Sequence, residues 1–139
     1  CTPMKFPYLA YRGFLRPIIP VTICYNDQKL STVALVDSGA DISLFDVSLA
    51  QALEINFSNV APKMIGGLGG LIEAFPATVQ LRLQRHQLEL SCLFAANVRL
   101  NLLGRQDFFR YFRVCFSEAH QFLELIRRRP KQRRTSLVK

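Results

Sequence analysis

Between Val79 and Gln84 the chain alternates strictly: Val79, Leu81 and Leu83 are apolar, while Gln80, Arg82 and Gln84 are polar. A period of two sends alternate side chains to opposite faces of an extended strand, whereas a helix would scatter both sets around its circumference. After Arg85-His86-Gln87 the apolar set resumes at Leu88, Leu90, Cys92 and Phe94. The two runs predict a hairpin with one face that must be buried against other elements. Half of the 139 residues are hydrophobic, which is ample for the core of one domain.

The rest of the chain supplies the partners. Ile18 to Tyr25 and Leu30 to Val36 are β-branched, apolar runs separated by Asn26-Asp27-Gln28, which predicts two strands and a tight turn. Asp46, followed by Val47, Leu49, Ala50 and Leu53 at helical spacing, predicts one short helix with the acid as its N-cap. Val98 to Leu103 is a further apolar run closed by Gly104. Gln106 to Phe112 suits a second short helix, and Val114 to Ile126 a last hairpin turning near Ala119-His120. The expectation is a mostly β fold without internal repeats. Residues 1–16 show no sustained period and are expected to form an arm, residues 17–126 a domain, and residues 127–139 a basic, flexible tail.

The charge follows that division. Of 18 basic residues seven lie in 127–139, so the formal net charge of +8 falls mostly on the tail and the body is nearly neutral. A terminal basic run is expected to be solvated, with contact to nucleic acid or anionic lipid as the lesser reading. No apolar run approaches the ~18 residues of a membrane span, so the chain is expected to be soluble. The start Cys1-Thr2-Pro3-Met4-Lys5 has neither an initiator Met nor signal-peptide organisation, the pattern of a fragment or processed product. Cys1, Cys24, Cys92 and Cys115 form no C-x-x-C pair and no Cys/His cluster, which argues against zinc. Three of them fall in apolar, strand-like stretches as expected of buried free thiols, favouring a reducing, cytoplasmic compartment.

Chemistry concentrates at three places. Val33-Ala34-Leu35-Val36 leads into Asp37-Ser38-Gly39-Ala40-Asp41. An acid at the end of a buried strand is costly unless it is hydrogen-bonded or shares a proton. Alone, the Asp-Ser-Gly step also fits an ordinary strand-ending turn. Pro62-Lys63-Met64-Ile65-Gly66-Gly67-Leu68-Gly69-Gly70-Leu71-Ile72 holds four glycines in five positions, a hairpin tip that can bend and let backbone approach a ligand. It matches neither phosphate-binding pattern, G-x-x-x-x-G-K-[ST] or G-x-G-x-x-G. The third place is Asn101-Leu102-Leu103-Gly104-Arg105.

In this order the three segments resemble the active-site loop, flap and Leu-Leu-Gly-Arg element of retropepsins, the aspartic proteases of retroviruses, retroelements and related bacterial proteins. The resemblance spans roughly Ile18 to Phe112. Ser38 stands where Thr is commoner, Ile42 where lentiviral enzymes often carry an acid, and the segment between Asp37 and Met64 is longer. The resemblance implies a closed β fold with a flap hairpin, active as a homodimer, because the chain carries the motif once. Asp37 would be the catalytic carboxylate of each copy, with Ser38, Gly39, Ala40 and Asp41 completing the loop. Ser38 would bond across the dimer axis, and Gly39 would accept the substrate backbone. Met64, Ile65, Gly66, Gly67, Leu68, Gly69 and Gly70 would form the flap, Leu68 presenting its N–H to a bridging water. Asp41 would contact substrate main chain or pair with Arg105, making Arg105 a brace. Leu35, Leu44, Ile65, Leu100 and Leu102 would either line apolar subsites or pack in the core.

The implied partners are a second copy and a polypeptide substrate; no metal or cofactor is implied. No G-x-S-x-G occurs, His86 and His120 fall at predicted hairpin turns, and no Cys–His pair is indicated. The reading from another class is a catalytically silent dimerisation or peptide-binding module, which would have no need of Asp37-Ser38-Gly39 or of a Gly-rich flap.

Overall fold

The alternating run becomes the longest hairpin of the chain. The computed structural model describes residues 2–67 and 69–129. In chain order the elements are β1 (Met4–Pro7), β2 (Leu9–Tyr11), β3 (Phe14–Arg16), β4 (Ile18–Tyr25), β5 (Gln28–Val36), β6 (Leu44–Asp46) and α1 (Val47–Ala52). There follow β7 (Lys63–Gly67), β8 (Gly70–Leu83), β9 (His86–Ala95), β10 (Asn101–Leu103), a 3-10 turn at Phe109–Tyr111, β11 (Phe112–Ser117) and β12 (Phe122–Arg127). No helix among the described residues is long and apolar enough to cross a membrane.

Seven strands form one sheet in the order β4-β5-β10-β6-β9-β8-β7, and an extra pairing of β4 with β8 closes it. Closure follows from register: Thr22, Ile23 and Cys24 lie opposite Arg82, Leu81 and Gln80. The inward residues of the alternating hairpin, Val79, Leu81, Leu83, Leu88, Leu90, Cys92 and Phe94, enter the main core with Ile19, Ile23, Phe45 and Leu103. Phe57 stacks on Phe75 at 5.1 Å between ring centroids and lies against Phe94, covering one end of that core. The mostly β architecture is as expected from the strand periodicities, and the closed sheet is as the resemblance implies.

Local signals also act as expected at α1. The Asp46 side chain accepts the Ser48 N–H at 3.1 Å, capping the helix, and its other oxygen accepts the Val98 N–H at 3.0 Å. The bond from the Ser48 hydroxyl above all holds the Asp46 carboxyl below its ordinary value. Asn26 turns the β4–β5 hairpin at φ 51°, a left-handed conformation that Asn tolerates well.

Elsewhere the structure corrects the expectations. The helix expected over Gln106 to Phe112 is a single 3-10 turn, because the Phe108 and Phe109 N–H groups both donate to Gly104 O and Phe112 already extends into β11. Cys92 is buried, and burial raises its thiol pKa, but Cys24 is only half-buried and Cys115 is exposed on the outer face of β11. The segment before Pro17, expected as an arm, contributes β1, which pairs with β12 with Met4 opposite Leu125 and Phe6 opposite Leu123. Met4, Phe6 and Tyr8 are buried in the main core. A three-stranded sheet β1-β12-β11 results, and both edges of β12 are filled by the chain's own strands. β12 includes Arg127, whose guanidinium lies over the rings of Tyr111 and Phe112. Residues 130–139 of the expected basic tail, like Cys1 and Leu68, lie outside the described residues.

Leu125 is fully buried between Met4 on one side and Val114 on the other. Leu125→Ala should therefore lower stability by about 2–5 kcal/mol in urea denaturation. A loss no larger than that of an exposed surface substitution would show that the three-stranded sheet is not part of the cooperative core.

Candidate active site

The loop bearing Asp37 is the continuation of β5, and two neighbouring segments hold its backbone. The Val36 N–H donates to Pro17 O at 2.9 Å and the Asp37 N–H to Leu103 O at 3.0 Å. β10 runs parallel to β5, with Asn101, Leu102 and Leu103 beside Ala34, Leu35 and Val36. Beyond the strand, the Gly39 N–H donates to Asp37 Oδ1 at 2.9 Å and the Ala40 N–H to Asp37 O at 3.2 Å, so the chain turns tightly around the carboxylate. The Asp37 side chain is half-exposed, Ser38 and Gly39 are exposed, and a Cβ on residue 39 would stand 3.2 Å from Asp37 Oδ1.

The loop is tied down from below by residues that sequence reasoning did not single out. Asp107, buried, accepts the Ser43 N–H at 3.1 Å, the Ser43 hydroxyl at 2.9 Å and the Phe108 N–H at 2.8 Å. Ser43 Oγ in turn accepts the Gly104 N–H at 2.9 Å. Gly104 is pressed so closely on the loop that a Cβ there would lie 2.5 Å from the backbone carbon of Ile42. Burial raises the Asp107 carboxyl above its ordinary value, with the hydrogen bonds from Phe108 and Ser43 opposing that rise. The sequence held a signal for Ser43 alone, a polar residue between Ile42 and Leu44, whereas Asp107 follows Arg105-Gln106 and does not stand out.

Arg105 braces the loop mainly through its backbone. Its N–H donates to Ala40 O at 2.9 Å, and the Gln106 N–H to Asp41 O at 2.8 Å. The Arg105–Asp41 side-chain pair closes only to 3.9 Å, with both groups mostly exposed, a geometry that contributes little.

Met64, Ile65, Gly66 and Gly67, expected in the flap, pair across the hairpin with Glu73, Ile72, Leu71 and Gly70. Gly70 has φ 104°, a backbone conformation open to Gly and strained for other residues. Gly69 lies in the turn, and Leu68, expected to present its N–H from the flap, is outside the described residues. Met64, Leu71 and Ile72 expose large apolar side chains to solvent.

Leu35, Leu102 and Leu44 lie abreast on β5, β10 and β6, followed by Leu93 on β9, as one row on the sheet. The first three are half-buried. Leu44 and Ile65 pack on a small second cluster formed by Ala74, Leu93 and Ala95. Leu100 is half-buried in the bend before β10. A cleft of about 660 Å³ beside this region is lined by Ile42, Lys63, Leu93, Asp107, Arg110 and Tyr111 among others, and Asp37 is not part of it. Among the described residues no three His, Cys, Asp or Glu side chains converge as metal ligands.

The model of a family described as aspartyl protease matches residues 19–106. The chain belongs to this aspartyl protease family. The match runs from β4 through the Asp37 loop and the β7–β8 hairpin to the segment after β10. Among solved structures, the EIAV protease complexed with the inhibitor HBY-793 is similar, with 29% identity and a TM-score of 0.53 over 70% of this chain and 88% of that one. A retropepsin-like aspartic protease from Rickettsia conorii is similar in fold, with 17% identity and a TM-score of 0.65 over 89% of this chain and 91% of that one. No curated protein sequence matches the chain significantly. The fold of this aspartyl protease is retropepsin-like.

Two measurements test the Ser43–Asp107 tie. Ser43→Ala leaves the Gly104 N–H without its acceptor and should cost about 1–3 kcal/mol in urea denaturation; an unchanged midpoint would sink the tie. The second concerns pH. A raised native carboxyl binds its proton more tightly than the unfolded chain does, so this contribution is complete below the ordinary value of 3.8 and is lost as pH rises through the raised native value. Relative to Asp107→Asn, which does not titrate, the wild type should lose stability across that window; a difference that stays flat with pH would contradict it.

Proposed function

We propose that this chain is an aspartic endopeptidase whose working unit is a homodimer, with Asp37 of each copy facing the other across the axis. The observation that carries the reading is a half-exposed carboxylate on a rigidly held loop at the end of a central strand, present once per chain. Acid–base hydrolysis by paired carboxylates needs two such groups, and a second copy supplies the other. Two carboxylates at close range cannot both ionise cheaply, so they share a proton. The ionised one takes a proton from a water, which attacks the scissile carbonyl carbon. The protonated one donates to the carbonyl oxygen, and the tetrahedral species then collapses with protonation of the leaving amine. No acyl-enzyme forms.

The remaining roles follow from position. Ser38, exposed beside Asp37, bonds across the axis and keeps the two carboxylates coplanar; Gly39 meets the substrate backbone. The row of Leu35, Leu102 and Leu44, with Ile65 of the flap, receives apolar side chains of the substrate, and Leu100 borders it. Exposed Met64, Leu71 and Ile72 are the flap's apolar surface, buried when the flap closes over an extended peptide and excludes bulk water. Arg105 and Asp41 frame the loop from outside.

Asp37→Asn keeps the size of the side chain and removes the shared proton. Cleavage of a long apolar peptide at mildly acidic pH should fall by about 10³-fold or more, with the dimer retained in sedimentation. Turnover close to wild type would overturn the assignment. Activity per chain of the wild type should also fall on dilution, since the complete site exists only in the dimer. A sedimenting monomer with constant specific activity would exclude the shared site.

A further inference from the structure

The cleft of about 660 Å³ that excludes Asp37 has the size of a ligand site, for which about 300–1,000 Å³ is usual. Its floor is the face of the β8–β9 hairpin turned away from the main core, where Pro76 lies opposite Leu93 and exposed Thr78 opposite exposed Ser91. One wall is the segment from Gln106 to Tyr111, and the other is Ile42 with Lys63 of β7.

Two observations say what the cleft receives. The first is continuity with the apolar row beside Asp37. Ile42 and Leu93 line the cleft and also join Leu44 and Ile65 in the small second cluster. Leu93 ends the row that begins at Leu35, two residues before Asp37, and passes through Leu102 and Leu44. Three strand spacings of about 4.8 Å carry that row about 14 Å, the length of about four residues of extended peptide at about 3.3 Å each. A peptide with its scissile bond at Asp37 and its chain along the row therefore delivers a distal side chain to the cleft. The second observation is charge. Lys63 and Arg110 are exposed, and neither is paired with a carboxylate, since Arg105–Asp41 is the only ion pair among the described residues. Both stand at the end nearest the row: Lys63 lies opposite Ala74, next to the Pro76–Leu93 pair, and Arg110 also borders the hollow formed with Asp41 and Arg105. The acids of the cleft do not answer them. Asp107 is buried, with three donors from Ser43 and Phe108 on its oxygens. Glu89 stands at the far end, about 13 Å along β9 from Leu93 at about 3.4 Å per residue.

We infer that this cleft is a distal recognition site for an acidic side chain of the peptide, about four residues from the scissile bond, held by Lys63 and Arg110. The inference rests on the endopeptidase reading and adds the substrate class: an apolar centre flanked by acidic residues. Thr78, Ser91 and Gln106 supply further hydroxyl and amide donors that a carboxylate can accept. Each copy of the homodimer contributes one such cleft, so an acid is read on both sides of the scissile bond. Lys63 stands at the root of the β7–β8 hairpin, and its pairing with the acid also holds that hairpin over the peptide.

The test uses peptides that share one apolar centre and carry Glu, Gln or Lys at the fourth residue on either side of the scissile bond. With the full wild-type chain, kcat/KM should be on the order of tenfold higher for the Glu peptide than for the Gln peptide, the scale of a charge-assisted hydrogen bond, and lowest for Lys. The advantage should shrink in high salt. The double variant Lys63→Glu, Arg110→Glu should reverse the order and favour the Lys peptide; both positions are exposed, and circular dichroism follows its folding. Should that variant not fold, the milder Lys63→Gln and Arg110→Gln should each lose part of the preference for Glu. Arg85→Glu, at an exposed position in the β8–β9 turn outside the cleft, should leave the preference unchanged. Equal rates for Glu and Gln, or an order that the Lys63 and Arg110 variants keep, would overturn the inference. Fluorescence anisotropy of the same peptides, labelled, with the Asp37→Asn chain reads the preference without turnover, and binding that does not distinguish Glu from Gln, or no binding, also overturns it. Charge-selective binding with no hydrolysis by the wild type refutes the protease reading alone. Hydrolysis without charge preference refutes the cleft alone.

Discussion

The contact on which the rest of this molecule depends is the crossing of the chain at Ile42-Ser43 over Gly104. Two backbone segments, 61 residues apart, approach so closely that no side chain fits at residue 104. Such an approach desolvates polar groups on both segments, and a buried donor left without an acceptor costs about as much as several good contacts contribute. Ser43 and Asp107 resolve this by forming a chain of bonds from the Gly104 N–H through a hydroxyl to a carboxylate. The buried carboxylate is the cost of that solution, and it is offset by three donors aimed at it.

From this crossing the site is built outward. β10 can slot between β5 and β6 because the crossing brings residues 101–103 beside Ala34 to Val36 on one side and Leu44 on the other. Asn101 reinforces the slot, its side chain donating to Val33 O and accepting the Asp46 N–H. The Asp37 loop then hangs from Leu103 O and Pro17 O, and the Gly-rich hairpin is carried by the long strand β8, which also closes the sheet on β4. A loop held by strands on both sides is well placed to keep the Asp37 carboxylate in one geometry, while the glycines of the β7–β8 hairpin carry no side chains that would resist bending.

The termini solve a separate problem. A closed sheet leaves the edges of an appended β11–β12 hairpin open, and open edges invite pairing with other chains. β1 covers one edge of β12, and its Met4 and Phe6 extend the core beneath. The chain then has to travel from β1 to β4, and it does so through the short β2–β3 ribbon, which leaves Phe14 and Leu15 exposed.

Much of this was legible in the sequence because the relevant forces are local. Alternation from Val79 to Phe94 determined a hairpin and its inward face, Asp46 determined where α1 starts, and the short list of strands and turns determined a mostly β domain. The Asp-Ser-Gly step, the glycines of the flap and Leu-Leu-Gly-Arg were visible as motifs, and the fold and family they resemble are those found. Other features were not legible. Period two says which side chains face inward but not which strand lies alongside, so the parallel insertion of β10, the pairing of Met4 with Leu125 and the β4–β8 closure came only with the tertiary structure. The helix expected after Gly104 stops at one turn for a related reason: the Phe108 and Phe109 N–H groups share the Gly104 carbonyl, and Phe112 is already paired with Arg127 in the β11–β12 hairpin. Ser43 and Asp107 are ordinary polar residues in the chain and become a buried pair only because packing brings together positions 64 residues apart. Local chemistry is written in neighbouring residues, whereas a buried polar pair is defined by the solvent it has lost, and that loss is decided only when the distant segments meet.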